Sequence, residues 1–220
     1  MVEATISEGY EYLVITDHSK SAFYANGLQV DRLMKQLDEI REIDQSRSDF
    51  RLYSGIESDI LSDGSLDYDD SILSELEVIV ASVHSNLKMD IDKATNRLIN
   101  AIENPYTSIL GHPTGRLLLS RKGYPIDYHK IIDACAVNNV AIEINANPLR
   151  LDIDWRYVQY AVNKGVLISI NPDAHSTIGI QDTAYGVNVA RKAGLSKYNC
   201  LNAFDAEEFE EWVQEQHQKR

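Results

Sequence analysis

The sequence predicts an α/β protein built on parallel strands. Six short apolar or β-branched runs recur along the chain, and segments with helical spacing lie between them. That repeated strand-then-helix order, joined by right-handed crossovers, makes a parallel sheet or a barrel. A further observation concerns polar residues, because each run leads straight into side chains able to bind a cation or move a proton. In a parallel barrel these positions are the strand C-terminal ends, where catalytic groups from different strands converge.

The first run, residues 12–16, leads into Asp17 and His18, and Val30, Leu33, Met34, Leu37 and Ile40 form the helical stripe that follows. The second, residues 52–56, is followed by Glu57 and Asp59, and the third, residues 78–83, by His84. Ile91, Ala94, Leu98, Ile99 and Ile102 mark the next helix. Residues 108–110 lead to His112 within Gly111-His112-Pro113, and Ile131, Ile132 and Cys135 resume helical spacing. The fifth run, residues 140–144, gives Glu143 and Asn145 and precedes a helix with Trp155, Val158 and Val162. The sixth, residues 166–170, gives Asp173 and His175. In the polar stretch 206–220, Phe209, Trp212 and Val213 share a helical face, which reads as a closing helix packed on the barrel.

Composition sets the class. With 220 residues, 44% hydrophobic and 25% charged, the chain is a soluble globular mixture that reads as one domain, residues 1–220, with no linker or internal repeat. Its apolar runs are strand-sized, well short of the ~20 residues that span a bilayer, and no signal peptide opens it. Cys135 and Cys200 form no ligand pattern, which fits a reducing cytoplasm. The balance of 21 basic to 34 acidic residues, net -13, argues against an autonomous nucleic-acid binder. Carboxylates gathered around cations would inflate that charge, and a separate basic domain could supply the grip on DNA.

Of six histidines, four (His18, His84, His112 and His175) stand at strand ends; His129 and His217 read as surface residues. Joined by Glu57 and Asp173, these four make a candidate cluster of metal ligands. Imidazole and carboxylate without thiolate suit zinc, manganese or iron at a hydrolytic centre rather than a structural zinc cage. Such a centre makes hydroxide from bound water and neutralises phosphoryl oxygen. Asp17 and Glu143 read equally as groups that orient a histidine or cap a helix. Ser85 and Ser176 lie in no GxSxG elbow, so a serine nucleophile is disfavoured.

Thr16-Asp17-His18-Ser19-Lys20-Ser21, Gly55-Ile56-Glu57-Ser58-Asp59-Ile60, Ala81-Ser82-Val83-His84-Ser85, Gly111-His112-Pro113-Thr114-Gly115-Arg116 and Pro172-Asp173-Ala174-His175-Ser176 resemble successive motifs of the polymerase and histidinol phosphatase (PHP) superfamily. Tyr24-Ala25-Asn26-Gly27-Leu28, Asp63-Gly64-Ser65-Leu66-Asp67-Tyr68, Ile102-Glu103-Asn104-Pro105-Tyr106 and Glu143-Ile144-Asn145-Ala146-Asn147-Pro148 are similar to the C-terminal PHP domain of bacterial family X DNA polymerases. The resemblance runs from about Gly9 to about Leu201. It implies a distorted (β/α)7 barrel with three divalent metals, manganese or zinc, at the strand C-terminal ends. It also implies phosphoester hydrolysis, as a 3'-5' exonuclease or related processing of DNA 3' ends beside a polymerase module. By position, Glu57, His84 and His112 would hold one metal, Glu57 and Asp173 a second, and His18 and His175 a third. Lys20 and Arg116 would be phosphate clamps or plain surface charges.

The family's first motif, an Asp-x-His-x-His strand, has no counterpart here, since no two histidines stand two residues apart. The chain reads as beginning inside the helix after that strand. The expectation is a fragment of a longer polymerase rather than a degenerate domain, with an open, C-shaped sheet. Its two unpaired edges would invite another chain, as in a homodimer. Two alternatives to the DNA 3'-end phosphoesterase are carried: a small-molecule phosphatase of the histidinol phosphatase type, and a non-catalytic docking module of a polymerase.

Overall fold

Alternation of side chains across each run puts one set inside and the other under the helices, and this decides the architecture. A computed structural model describes residues 1–220. The strands are β1 (Tyr12–Ile15), β2 (Arg51–Asp59), β3 (Val78–Ser82), β4 (Ile109–Leu110), β5 (Ala141–Asn145) and β6 (Ile168–Asn171). They form one six-stranded sheet in sequence order, every pairing parallel. Glu57, Asp59, Glu143 and Asn145 lie inside the last residues of β2 and β5 rather than beyond them.

Eight helices complete the chain: α1 (Val2–Ser7), α2 (Val30–Gln45), α3 (Asp70–Leu73), α4 (Ile91–Ile102), α5 (Tyr128–Val137), α6 (Trp155–Asn163), α7 (Thr183–Ala193) and α8 (Ala206–Gln218). Asp90, Asp127 and Asp154 each accept a hydrogen bond from the first turn of α4, α5 and α6, and Asp205 forms a capping box with Glu208 at α8. The α7 helix leaves no apolar stripe in the sequence because it buries small residues, Gly186, Ala190 and Ala193. A Cβ on Gly186 would come within 2.6 Å of both Ile170 and Ala146, so only glycine permits this approach to β5 and β6.

The outward-facing residues Ile56, Ile79, Ala81, Ile142, Ile144, Ile168 and Ile170 join the helices in the main core. The inward set, Tyr53, Val78, Val80, Ile109 and Ala141, packs against Phe209, Trp212 and Val213. The closing helix α8 therefore plugs the interior at the N-terminal ends of the strands. Tyr12 stacks on Phe209 with centroids 4.4 Å apart, and the Tyr53 hydroxyl donates to Glu210 at 3.0 Å. Lys219 and Arg220 then donate to the carbonyls of Thr107 and Leu76, among others, on the same underside.

The sheet curls but does not close, leaving β1 and β6 as edges, in agreement with the expected C shape. Both edges line a cavity of about 600 Å³ that runs from Phe209 at the base to His18, Glu57 and Asp173 at the mouth. The β6 edge is less bare than expected. Asn202 accepts from the Ile170 N–H at 2.5 Å and donates to the Ile170 carbonyl at 2.8 Å, imitating a strand partner. No helix is long and apolar enough to cross a membrane.

Candidate metal centre

Strand parity carries the apolar interior upward into a polar mouth. On β2 the inward sequence is Tyr53, Gly55, Glu57, Asp59; on β3 it is Val78, Val80, Ser82, and the same alternation reaches His84. The parallel register sets Glu57 beside Val80 and Asp59 beside Ser82, and a bridge from His18 to Glu57 prolongs β1 to the same level. His112 follows β4 after Gly111, and Asp173 and His175 follow β6. His112 and Asp173 hold left-handed backbone, at φ 23° and 54°, strain of about 1–3 kcal/mol each of the kind found at functional sites.

Glu57, 8% exposed, is the centre of the arrangement. Its Oε1 lies 2.9 Å from His112 Nε2 and 3.2 Å from His84 Nε2, and its Oε2 lies 3.2 Å from His18 Nδ1. Ligand atoms of His18, Glu57 and His84 all fall within 4.8 Å of one another. His18 Nδ1 and His84 Nε2 are buried with no hydrogen-bond partner despite that closeness. Unpartnered buried nitrogens aimed at one carboxylate fit a shared cation, whose bonds to nitrogen and oxygen of about 2.0–2.2 Å these separations accommodate.

Burial alone would raise the Glu57 carboxyl, but the hydrogen bond from His112 and the charges of His112 and His84 hold it well below its usual range. Burial alone would lower His84, and the carboxylates of Asp59 and Glu57 outweigh it and push the imidazole up to about 9. Burial lowers His18, with Glu57 opposing. Glu143 is pushed up to about 7, chiefly by burial. Its oxygens accept from the His112 N–H at 2.7 Å and from Asn171 Nδ2 at 2.9 Å, so it braces the loop that carries His112.

The remaining sequence-predicted residues fall at different distances from this centre. Asp173 accepts from Asn145 Nδ2 at 3.1 Å, and His175, exposed, lies with its ring 6.1 Å from that of His18. Asp17 is held by Gln36 at 2.6 Å. Lys20 lies with its ammonium 5.4 Å above the Tyr68 ring. The Arg116 guanidinium donates to the carbonyls of Arg150 and Leu151 and pairs with Asp154, tying two loops together.

The structure gives a role to Asp59, which the sequence places at a strand end, and adds Arg150, which the sequence does not single out. Asp59 Oδ1 contacts His84 Nδ1 at 2.5 Å, fixing the ring so that Nε2 faces Glu57, while Ser21 holds the other Asp59 oxygen at 2.8 Å. Arg150, with 17% of its side chain exposed, sets Nε 3.3 Å from Asp173 Oδ2. Its signal was an arginine two residues beyond the Asn-Ala-Asn-Pro turn. Asp59 was visible at a strand end, but nothing in the spacing showed which histidine it would hold.

No protein-family model matches the chain. It is 41% identical, over 213 residues and 97% of its length, to the DNA polymerase/3'-5' exonuclease PolX of Bacillus subtilis (strain 168). This likeness supports the resemblance of its motifs to the PHP superfamily. The chain spans 37% of the length of that PolX. A probable phosphatase of Thermoanaerobacter sp. (strain X514) is 28% identical over 98% of this chain and 94% of its own. Among solved structures, histidinol phosphate phosphatase from Lactococcus lactis, complexed with zinc, L-histidinol and phosphate, superposes with a TM-score of 0.55 at 14% identity. It covers 89% of this chain and 86% of that one, a likeness of fold. The open six-stranded sheet thus matches a truncated PHP/TIM-like barrel.

Proposed function

We propose that residues 1–220 act as one metal-dependent phosphoesterase domain that hydrolyses phosphoester bonds at DNA 3' ends. The observation that carries this reading is the convergence of His18, His84 and His112 on the buried Glu57. It occurs in a chain alignable over 97% of its length with a 3'-5' exonuclease.

His18, Glu57, His84, His112, Asp173 and His175 are assigned as the ligands of divalent metals, manganese or zinc, that supply hydroxide and neutralise phosphoryl oxygen when bound. Asp59 orients His84. Glu143 lines the cavity and holds the His112 loop in place through the His112 N–H. Arg150 is assigned to the substrate phosphate, because beyond its contact with Asp173 its planar fork has N–H groups left to hold an anion in two-pronged fashion. Lys20 adds positive charge on the His18 loop.

The net charge of -13 supports a division of labour in which a separate basic polymerase module grips the DNA. The two free, buried cysteines are consistent with the cytoplasm. The unpaired edge of β1 is the surface on which a second copy would pair.

The test is elemental analysis of the chain purified in manganese- and zinc-containing buffer, followed by digestion of a 5'-labelled oligonucleotide. Two or more metals per chain with shortening from the 3' end is the expected result. One metal or none, with no shortening, overturns the reading for this chain.

A further inference from the structure

The segment 19–28 presents two large aromatic side chains to solvent beside the metal centre. Phe23 is 83% exposed and Tyr24 71%, and the Tyr24 ring lies 5.8 Å from the His18 ring and 6.2 Å from that of His84. A loose loop would fold such rings away. This one is braced at both ends. Leu28 N–H donates to the His18 carbonyl at 2.8 Å, Ser21 N–H donates to Asp67 at 2.7 Å, and the Tyr68 hydroxyl donates to the Leu28 carbonyl. Ser19 and Ala22 are fully buried, and Asn26 adopts left-handed backbone at φ 54°. A Cβ on Gly27 would stand 2.0 Å from the Ser19 carbonyl oxygen, so the turn that holds the rings outward admits only glycine.

Arg32 lines the cavity together with His18 and Asn26, and Arg150 pairs with Asp173, which lines the same cavity. Flat π faces flanked by cations, next to a centre suited to phosphoester chemistry, match one ligand chemistry: a base followed by its phosphate. Aromatic platforms beside cationic groups are how proteins hold single-stranded nucleic acid without reading its sequence.

We infer that Phe23 and Tyr24 form a stacking platform for a terminal base of single-stranded DNA whose 3' end enters the metal centre. This deepens the phosphoesterase reading and rests on it for the substrate class. The platform selects a nucleotide chain over a small phosphate ester lacking a base.

The experiment is fluorescence anisotropy of the full chain, with manganese present, against a fluorescein-labelled tetranucleotide whose phosphorothioate linkages resist hydrolysis. A second tetranucleotide lacks its 3'-terminal base. Phe23→Ala and Tyr24→Ala are each expected to weaken binding of the first about 10-fold and to leave binding of the second at the level of the unsubstituted chain. Phe23→Tyr and Tyr24→Phe restore it, since the ring is kept. Equal weakening on both oligonucleotides, no weakening, or no binding by the unsubstituted chain overturns the platform. The two readings fail separately. Base-dependent binding without any hydrolysis of an ordinary oligonucleotide leaves the platform and removes the phosphoesterase, whereas hydrolysis without base dependence does the reverse.

Discussion

His112 Nε2 lies 2.9 Å from Glu57 Oε1, with both residues buried and the histidine backbone at φ 23°. That one oxygen also faces His84, so removing its charge should disable the shared site while keeping the shape. In Glu57→Gln, the rise in melting temperature on adding manganese is expected to vanish. In the unsubstituted chain, ligand at a hundred times Kd should stabilise by about 2.7 kcal/mol. Differential scanning fluorimetry with and without manganese reads both, and a retained shift in the variant would remove Glu57 from the site.

Arg150 is assigned to substrate phosphate through a planar fork, which lysine does not reproduce. Arg150→Ala is expected to lower kcat/KM on an oligonucleotide roughly 10- to 100-fold, the worth of one charge-assisted hydrogen bond. Arg150→Lys should recover only part of this. Steady-state kinetics in manganese decide it, and full activity in the lysine variant would reduce Arg150 to a point charge.

Gly27 has no room for a methyl group against the Ser19 carbonyl. Gly27→Ala is expected to destabilise the fold by about 1–3 kcal/mol, as overpacking does. Since the Leu28 amide anchors on His18, manganese binding should weaken with it. Urea unfolding and a manganese titration measure the two effects, and unchanged values in both would show that the loop shifts freely.

Phe209 is 4% exposed and stacks on Tyr12 beneath the cavity. Phe209→Ala is expected to cost about 3–5 kcal/mol, because the opened space joins a cavity that cannot collapse. Denaturant unfolding gives the value; a cost under about 1 kcal/mol would mean that α8 is not the plug of the interior.

Asp154 caps α6, and hydrogen bonds and charge from Arg156 lower its carboxyl to about 2 despite partial burial. The folded value lies below the unfolded one, so the stabilisation is present above about 3.8 and is lost as pH falls through about 2. Asp154→Ala should therefore cost about 1 kcal/mol at pH 7, and the gap should close in acid. Melting curves at pH 7 and pH 3 test the sign, and a gap that widens in acid would contradict it.

Much of the fold could be read from the residues because burial imposes periods. The runs that became β1 to β6 are apolar or β-branched, and the stripes of α2 and α4 are wide. By contrast α3 has four residues and α7 packs through glycine and alanine, so neither offers a stripe to find. The position of α8 inside the curl, where Phe209 meets Tyr53, also lies beyond the reach of periodicity. A helical face says that it is buried and not against what.

The sequence by itself determined the parallel α/β class and the presence of His18, Glu57, His84, His112, Asp173 and His175 at strand ends. Both follow from local rules, period two in strands and the convergence of strand ends in a barrel. Only the tertiary structure decided that Glu57 is the shared centre, that Asp59 orients His84, and that Arg150 pairs with Asp173 while Arg116 braces loops. Those are contacts between residues 23 to 55 positions apart, set by strand register and loop path. Spacing along a chain records which way a side chain points, whereas the partner it meets is chosen by how neighbouring strands slide and twist against each other.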